Sequence, residues 1–476
     1  LDNLLADQEC DVSKRFAIKP AIFAAALVFG LSGCAHYQPV PLTHDSIEQA
    51  LSSPTPAELQ EQVKDLQHPL LKPLALDIED GIAPDEAAVL AVLLNPSLRV
   101  ARDQKALAAA QVLQAKLLPN PELSSDLENP VGGNTSEATT GFGLGLSWDI
   151  ASLITQNARI QAATENENSI DLDIAWQEWQ VAQAAKETTY RLIRLENQVK
   201  LTEEDRSVLE RNLESVQRAV NEGVKTIKDL SAARAAYQQT DGSLLDLRKQ
   251  ASEQRLKLKQ LMGLSPESEI HLQEGIELPS HFDPPPAESM SNGLEQRRLD
   301  LVALRHGYES QEAAVRAAVL NQFPKISFGP TFSRDVENID SAGFGISIQL
   351  PFFDRNQAKI AAERATRQKL FDEYVSRIFE SRSAIAVLVD RIHFLDKQIA
   401  AAQAAENNMQ RLMETYHEAA VSGRADILTY YSVRTDWTAA RLKTVQLKEQ
   451  LAEAMIALEL ASGMYQVSDI NKIETE

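Results

Sequence analysis

The ten residues Gly141-Phe142-Gly143-Leu144-Gly145-Leu146-Ser147-Trp148-Asp149-Ile150, with the long stretch behind them, decide how this chain folds. Phe142, Leu144, Leu146, Trp148 and Ile150 alternate with Gly141, Gly143, Gly145, Ser147 and Asp149. Successive strand residues point to opposite faces, so this segment has one apolar face and one small, polar face. From Leu146 to Glu222 there is neither glycine nor proline. Alanine, leucine, glutamate, glutamine and arginine dominate, which predicts one uninterrupted helix. At 1.5 Å per residue, about 65 residues make a rod on the order of 100 Å long. No single globular core accommodates that rod, and uncapped helices of such length imply coiled coil. Gly223 stops it, and a second helix returns.

The same order of signals then recurs. Gly223 and Gly423 lie 200 residues apart, as do Arg234 and Arg434. Leu261-Met262-Gly263 returns as Ala461-Ser462-Gly463, and Asn157-Ala158-Arg159-Ile160 as Gln357-Ala358-Lys359-Ile360, at that same offset. Gly141-Phe142-Gly143 matches Gly343-Phe344-Gly345 at 202, and Pro119 matches Pro324 at 205. Differences in loop length produce drift of this size. A second stretch without glycine or proline runs from Phe352 to Ser422. The chain is therefore read as two copies of one unit, residues 84–263 and 291–463. Each copy is predicted as helix, two strands, very long helix, shorter helix. Proline ends the first helix in both, at Pro119 and near Pro324. Residues 264–290 form a connector stiffened by Pro284-Pro285-Pro286, and 464–476 a C-terminal tail.

Strands are expected at 121–129, 139–150, 325–333 and 342–352. Leu123 and Leu127 alternate with Glu122, Ser124, Asp126 and Glu128. Ile326, Phe328 and Phe332 stand against Lys325, Ser327, Thr331 and Ser333; Phe344, Ile346, Ile348, Leu350 and Phe352 stand against Gly345, Ser347 and Gln349. Period-two alternation over nine to eleven residues marks a transmembrane barrel, lipid outside and polar lumen inside. The competing reading is two amphipathic hairpins packed on a soluble core. Against it, the hairpins sit alone between enormous helices, and their second face of glycine, serine and acid packs poorly on anything but water. Pro330 weighs the other way, because a central strand needs every amide. Four strands cannot close around a pore, and lipid does not tolerate an open edge, so such a barrel must be shared among several chains.

With 47 Lys+Arg against 68 Asp+Glu, the net charge of −21 argues against a nucleic-acid binder, which needs basic patches to meet phosphates. An acidic chain attracts cations instead. Lys14, Arg15 and Lys19 precede an apolar run from Ala21 to Leu31 that ends in Leu31-Ser32-Gly33-Cys34. A basic start, a short apolar core and small residues before a cut site make a secretory signal, too short to span a bilayer. The ending resembles a bacterial lipobox, which implies that residues 1–33 are a signal with an upstream extension and that Cys34 is lipidated. Its removal would leave 44 basic and 64 acidic residues and take away Cys10, so no disulfide is expected within the mature chain. Residues 34–83, with Pro39, Pro41, Pro54, Pro56, Pro69 and Pro73, read as an arm leaving the lipid. No later apolar stretch approaches 18 residues, so the mature chain crosses a membrane only as a β-barrel.

Catalytic signals are missing. The eight histidines, among them His36, His68, His281, His306 and His417, show no metal-ligand spacing and no cysteine partner. There is no nucleophile elbow, P-loop or Rossmann glycine set. No catalytic residue, cofactor or metal is assigned, and an enzyme is disfavoured. A structural periplasmic coiled-coil lipoprotein remains as an alternative, although it leaves four amphipathic strands without purpose.

Four features together carry a resemblance to the TolC-like outer-membrane efflux protein family. They are Leu31 to Cys34, Leu118-Pro119-Asn120-Pro121-Glu122-Leu123, Gly343 to Leu350 running into Pro351-Phe352-Phe353-Asp354-Arg355-Asn356-Gln357, and the paired turns Glu222-Gly223 and Ser422-Gly423. The resemblance implies a mainly α fold with a small transmembrane β part. Four strands per chain would enter a trimeric twelve-stranded outer-membrane barrel, and the long helices a hollow α-barrel across the periplasm. It implies a passive exit duct working with a periplasmic adaptor protein and an inner-membrane transporter of the resistance-nodulation-division type. Gly223, Val224, Gly423 and Arg424 would be periplasmic tips that meet the adaptor. Acids often follow the second tip in the family; here Thr429 and Ser432 stand in such places, which leaves Asp229, Asp426 and Arg434 as gate candidates. The Pro351 to Gln357 phrase looks like members paired with heavy-metal-cation exporters. A duct for type I protein secretion is the alternative within the class.

Overall fold

Proline and glycine set the element boundaries in the computed structural model, which describes residues 37–52, 59, 61, 68–69, 71, 80–133, 138–422 and 424–464. Residues 1–53 and 54–476 form two units. Within the first, helix α1 (His44–Leu51) opens on a capping box. The Thr43 hydroxyl accepts from the Ser46 amide, and the Ser46 hydroxyl oxygen accepts from the Thr43 amide.

The second unit holds both repeats. The first comprises α2 (Pro84–Leu94), α3 (Pro96–Lys116), β1 (Glu122–Glu128), β2 (Gly141–Asp149), α4 (Ala151–Asn221) and α5 (Ile227–Leu261). After α6 (Ala287–Ser291) and α7 (Leu294–Arg297), the second continues with α8 (Leu299–Leu320), β3 (Lys325–Arg334), β4 (Asp340–Gln349), α9 (Gln357–Val421) and α10 (Ile427–Ser462). Helices α4 and α9 have 71 and 65 residues, about 107 and 98 Å of rod. Helices α3 and α8 stop ahead of Pro119 and Pro324, because a residue before proline is steered out of the helical region.

The first helix of each repeat is split, a feature absent from the periodicity. Asn95, at ψ 120°, separates α2 from α3 ahead of Pro96. Arg298, at ψ 116°, separates α7 from α8 with no proline present. Both breaks serve the same joint. Asn95 Nδ2 donates to the Leu261 carbonyl at 2.9 Å, and Arg298 Nη1 to the Ala461 carbonyl at 3.1 Å. Two residues beyond each carbonyl, Gly263 (φ +63°) and Gly463 (φ +65°) end the returning helices. A Cβ on Gly263 would lie 2.4 Å from the Leu94 carbonyl oxygen, and one on Gly463 2.9 Å from Arg298 Cγ. Only glycine meets both the dihedral and the space.

The core is a string of clusters along the rods. Ala87, Leu90, Leu192, Leu195 and Leu258 join α2, α4 and α5, while Leu301, Ile385, Ile392, Leu451 and Leu458 join α8, α9 and α10. A third cluster around Trp176 and Trp179 reaches Leu98 and Leu299, tying the two repeats together.

Ion pairs continue that seam down α4 and α10 in antiparallel order. Lys186 meets Glu459 at 3.6 Å, Arg191 Glu453 at 2.5 Å, Arg194 Glu449 at 2.9 Å, and Asp205 Arg434 at 2.5 Å. Burial opposes the charge on Lys186, but Glu459 and Asp85 outweigh it and hold the ammonium protonated well above its ordinary range.

The strands form one antiparallel sheet in the order β1-β2-β3-β4. Pro330 lies in β3, opposite Phe344 of β4. Its missing amide tells on the other side. β2 and β3 pair from Phe142↔Arg334 to Gly145↔Thr331, then only again at Trp148↔Phe328 and Asp149↔Ser327. The strand survives the proline by giving up two ladder positions toward one neighbour.

Candidate functional site

The sheet register sorts the strand residues into two faces. One face carries Leu123 beside Leu146, Leu144 beside Phe332, Trp148 beside Phe328, and Phe328 beside Ile346. Among the described residues nothing covers it at β4: Phe344 is 81% and Ile346 71% exposed. An uncovered apolar face of this extent marks a contact with lipid or protein. The opposite face holds Ser124 beside Gly145, Ser327 beside Ser347, and Thr331 beside Gly343. By alternation it also bears Glu122, Asp126, Glu128 and Asp149, against Lys325. Ten residues at about 3.4 Å, tilted about 40°, cover about 26 Å, the height of an outer-membrane apolar band. Trp148, Phe328, Phe352 and Phe353 gather toward the helical end of the sheet, where aromatic girdles sit. Trp148 Nε1 donates to the Pro119 carbonyl at 2.8 Å there. Strands β1 and β4 are free edges among the described residues.

At the far end of the rods, α4 turns into α5 through Glu222 to Thr226. Gly223 takes φ +74°, and the Val224 amide returns to the Ala219 carbonyl at 2.8 Å. Val224 and Ile227 stand 75% and 70% exposed at the turn. Thr226 caps α5 in a full capping box. Its amide and hydroxyl donate to Asp229 Oδ2 at 2.9 and 2.8 Å. These bonds hold the Asp229 carboxyl below its usual range. The second turn repeats the closure, with the Arg424 amide donating to the Ala419 carbonyl at 2.8 Å. Asp426 caps α10 by accepting from the Leu428 amide at 3.2 Å. Gly423 and Cys34 lie outside the described residues.

Asp229 and Asp426 are thus helix caps by geometry. Replacing Asp229 with alanine is expected to weaken the start of α5 by about 1 kcal/mol. Because its pKa is depressed on folding, that contribution is present above the ordinary carboxylate range and fades as pH falls through the lowered value. Thermal melts of the two proteins should differ at neutral pH and converge in acid.

Arg434 is buried inside the bundle. Its Nε donates to Asp205 Oδ1 at 2.7 Å and its Nη1 to the Tyr430 hydroxyl at 2.9 Å. Thr438 adds a hydroxyl to Asp205 Oδ2 at 3.2 Å. Tyr430 and Tyr431 pack with Leu209, Val216, Leu230 and Ala233, so this cluster links α4, α5 and α10 just above the turns. A groove of about 380 Å³ opens beside it, lined by Arg211, Ser215, Lys225, His417, Val421 and Tyr430. Burial raises the Tyr431 hydroxyl's pKa, and that oxygen finds no hydrogen-bond partner among the described residues.

The family profile of the outer membrane efflux protein matches this sequence twice, over residues 88–264 and 291–464. The chain belongs to that family. It is an outer-membrane protein extending into the periplasm, and its family is one of efflux proteins, not enzymes. The cobalt-zinc-cadmium resistance protein CzcC of Cupriavidus metallidurans is 25% identical over 295 residues, 61% of this chain and 68% of that protein. The fold matches CusC, studied for conformational changes accompanying folding and transmembrane channel formation, with TM-score 0.66 and 19% identity over 84% of this chain and 99% of that one. It also matches the outer membrane protein VceC of Vibrio cholerae, with TM-score 0.68 and 18% identity over 80% and 96% of the two chains.

One constellation had no signal in the sequence spacing. Glu165 of α4 and His306 and Glu309 of α8 bring three metal-competent side chains together. His306 and Glu309 are three residues apart, but Glu165 lies in the other repeat.

Proposed function

We propose that this efflux protein is the exit duct of a tripartite pump. It works as a homotrimer in outer-membrane lipid, with a periplasmic adaptor and an inner-membrane transporter of the resistance-nodulation-division type. The observation that carries this reading is the four-stranded sheet with an uncovered apolar face and two free edges. Pairing β4 of one copy with β1 of the next removes every edge, and three copies give twelve strands. Exposed apolar residues on the helices support assembly as well. Phe371, Val375, Phe379, Val387 and Phe394 stand exposed along α9 at helical spacing.

In this reading residues 1–33 direct export, Cys34 carries lipid, residues 34–83 are an arm, and 84–263 and 291–463 are the repeats joined by 264–290. The adaptor meets the tips at Gly223, Val224, Gly423 and Arg424. Arg434 restrains them from within the bundle, with Asp229 and Asp426 at the gate. Transport is passive, its energy supplied by the pump. The name of CzcC and the acids on the polar sheet face favour divalent metal cations as cargo. Type I protein secretion is the second reading.

A strain lacking this chain should lose tolerance to cobalt, zinc or cadmium and recover it on complementation, with protein secretion intact. Lost secretion with unchanged metal tolerance would establish the second reading instead. A soluble monomer after removal of the lipid would overturn the duct altogether and leave a structural coiled-coil lipoprotein.

A further inference from the structure

Three donors of unlike chemistry meet where the repeats pack together. His306 Nδ1 lies 2.7 Å from Glu165 Oε2 and 3.8 Å from Glu309 Oε2. All three ligand atoms fall within 4.8 Å of one another. The imidazole and Glu165 side chains are largely enclosed, at 24% and 21% exposure, while Glu309 at 48% faces water.

The spacing between the two helices is fixed on both sides of this cluster. The Ser310 hydroxyl donates to the Ala162 carbonyl at 2.7 Å, and the Ser169 hydroxyl to the Ala303 carbonyl at 2.8 Å. Glu165 and His306 sit between these clamps. They are held at one separation by bonds that do not involve them.

We propose that Glu165, His306 and Glu309 form a binding site for a divalent cation of the zinc class, bridging the two repeats. One imidazole nitrogen with two carboxylates is a donor set suited to zinc and its neighbours, with a fourth position left to water. Tetrahedral donors at about 2.1 Å from the ion stand about 3.4 Å apart. The 2.7 Å contact therefore opens slightly and the 3.8 Å contact closes, both within reach of glutamate rotamers. A magnesium-like ion is disfavoured because it takes oxygen donors and keeps its waters. The site lies in the helical wall, about 21 Å along α4 from the strand end. It is independent of what the duct carries.

The full-length protein, stripped of metal in detergent, is titrated with Zn²⁺, and with Co²⁺ for its visible absorption. One high-affinity Zn²⁺ per chain is expected, with Co²⁺ bands typical of nitrogen and oxygen ligation and a rise in Tm that EDTA reverses. His306→Ala and Glu165→Gln should each weaken Zn²⁺ at least about tenfold. Glu165→Gln keeps a hydrogen-bonding partner for the imidazole and so guards against a folding artefact. His281→Ala is the control. His281 pairs with Asp396 at 2.5 Å and belongs to no three-donor group among the described residues, so its loss should leave affinity unchanged. Zn²⁺ binding that is absent, that persists in both site variants, or that falls equally in the control overturns the proposal and leaves a hydrogen bond between His306 and Glu165.

Discussion

Replacing Gly329 with alanine is expected to stop the chain from reaching its assembled form. A Cβ there would lie 1.7 Å from the Leu146 carbonyl oxygen and 2.7 Å from its carbon. Both are backbone atoms of the neighbouring strand, so no rotamer can relieve the clash. The collision falls where Pro330 has already taken two pairs from the β2–β3 ladder, and the strands have no spare bonds with which to shift. A cost of several kcal/mol follows, in the range reserved for strain and overpacking. In an edge-to-edge barrel one displaced strand is repeated in every copy. Gly343→Ala supplies the comparison. Its Cβ would meet only Thr331 Oγ1, at an ordinary 3.6 Å, and should leave the assembly intact. Outer-membrane fractionation and heat-modifiable migration of the two variants read the difference. Equal assembly would show that the strands do not approach as closely as described.

Gly329 also marks how far residues alone predicted this molecule. The faces of the strands were legible because a period of two sorts side chains before any register is known. The rods were legible because glycine and proline are absent from them. By pattern alone Pro330 counts against a barrel strand, yet it lies within β3 of the sheet. The ladder break that accommodates it depends on the facing Leu146 and Ser147, which the local pattern cannot identify. The 200-residue offset correctly equated Gly263 with Gly463, since both close a returning helix at positive φ against their repeat's first helix. The same offset misleads for Arg234 and Arg434. Arg234 is exposed and Arg434 buried, because only the second has Asp205 across the repeat seam. Glu165 and His306 were hidden for the same reason. Contacts between repeats are set by how the rods pack, and a local pattern carries no record of that.

Arg434→Ala should cost about 3–5 kcal/mol, because it leaves the Asp205 carboxylate buried with little more than a threonine hydroxyl for company. Asp205→Ala should cost a similar amount by stranding the guanidinium, which keeps its bond to the Tyr430 hydroxyl but loses its carboxylate. Replacing both, as Arg434→Met with Asp205→Leu, removes two charges at once and should cost less than either single change, since matched apolar groups fit a site already lined by Leu209 and Tyr430. Denaturant unfolding of the full protein in detergent, with Arg434→Met and Asp205→Leu also made singly to close a double-mutant cycle, measures this directly. Single and double costs that simply add would show that the pair contributes nothing as a pair. The cluster also ties α4 to α5 and α10 above both turns, so a restraint on the tips predicts a second effect. In planar bilayers, Arg434→Ala should raise channel open time, whereas the Asp229→Ala cap variant, about 1 kcal/mol weaker, should change it far less. A stability loss without any change in opening would confine Arg434 to holding the bundle together.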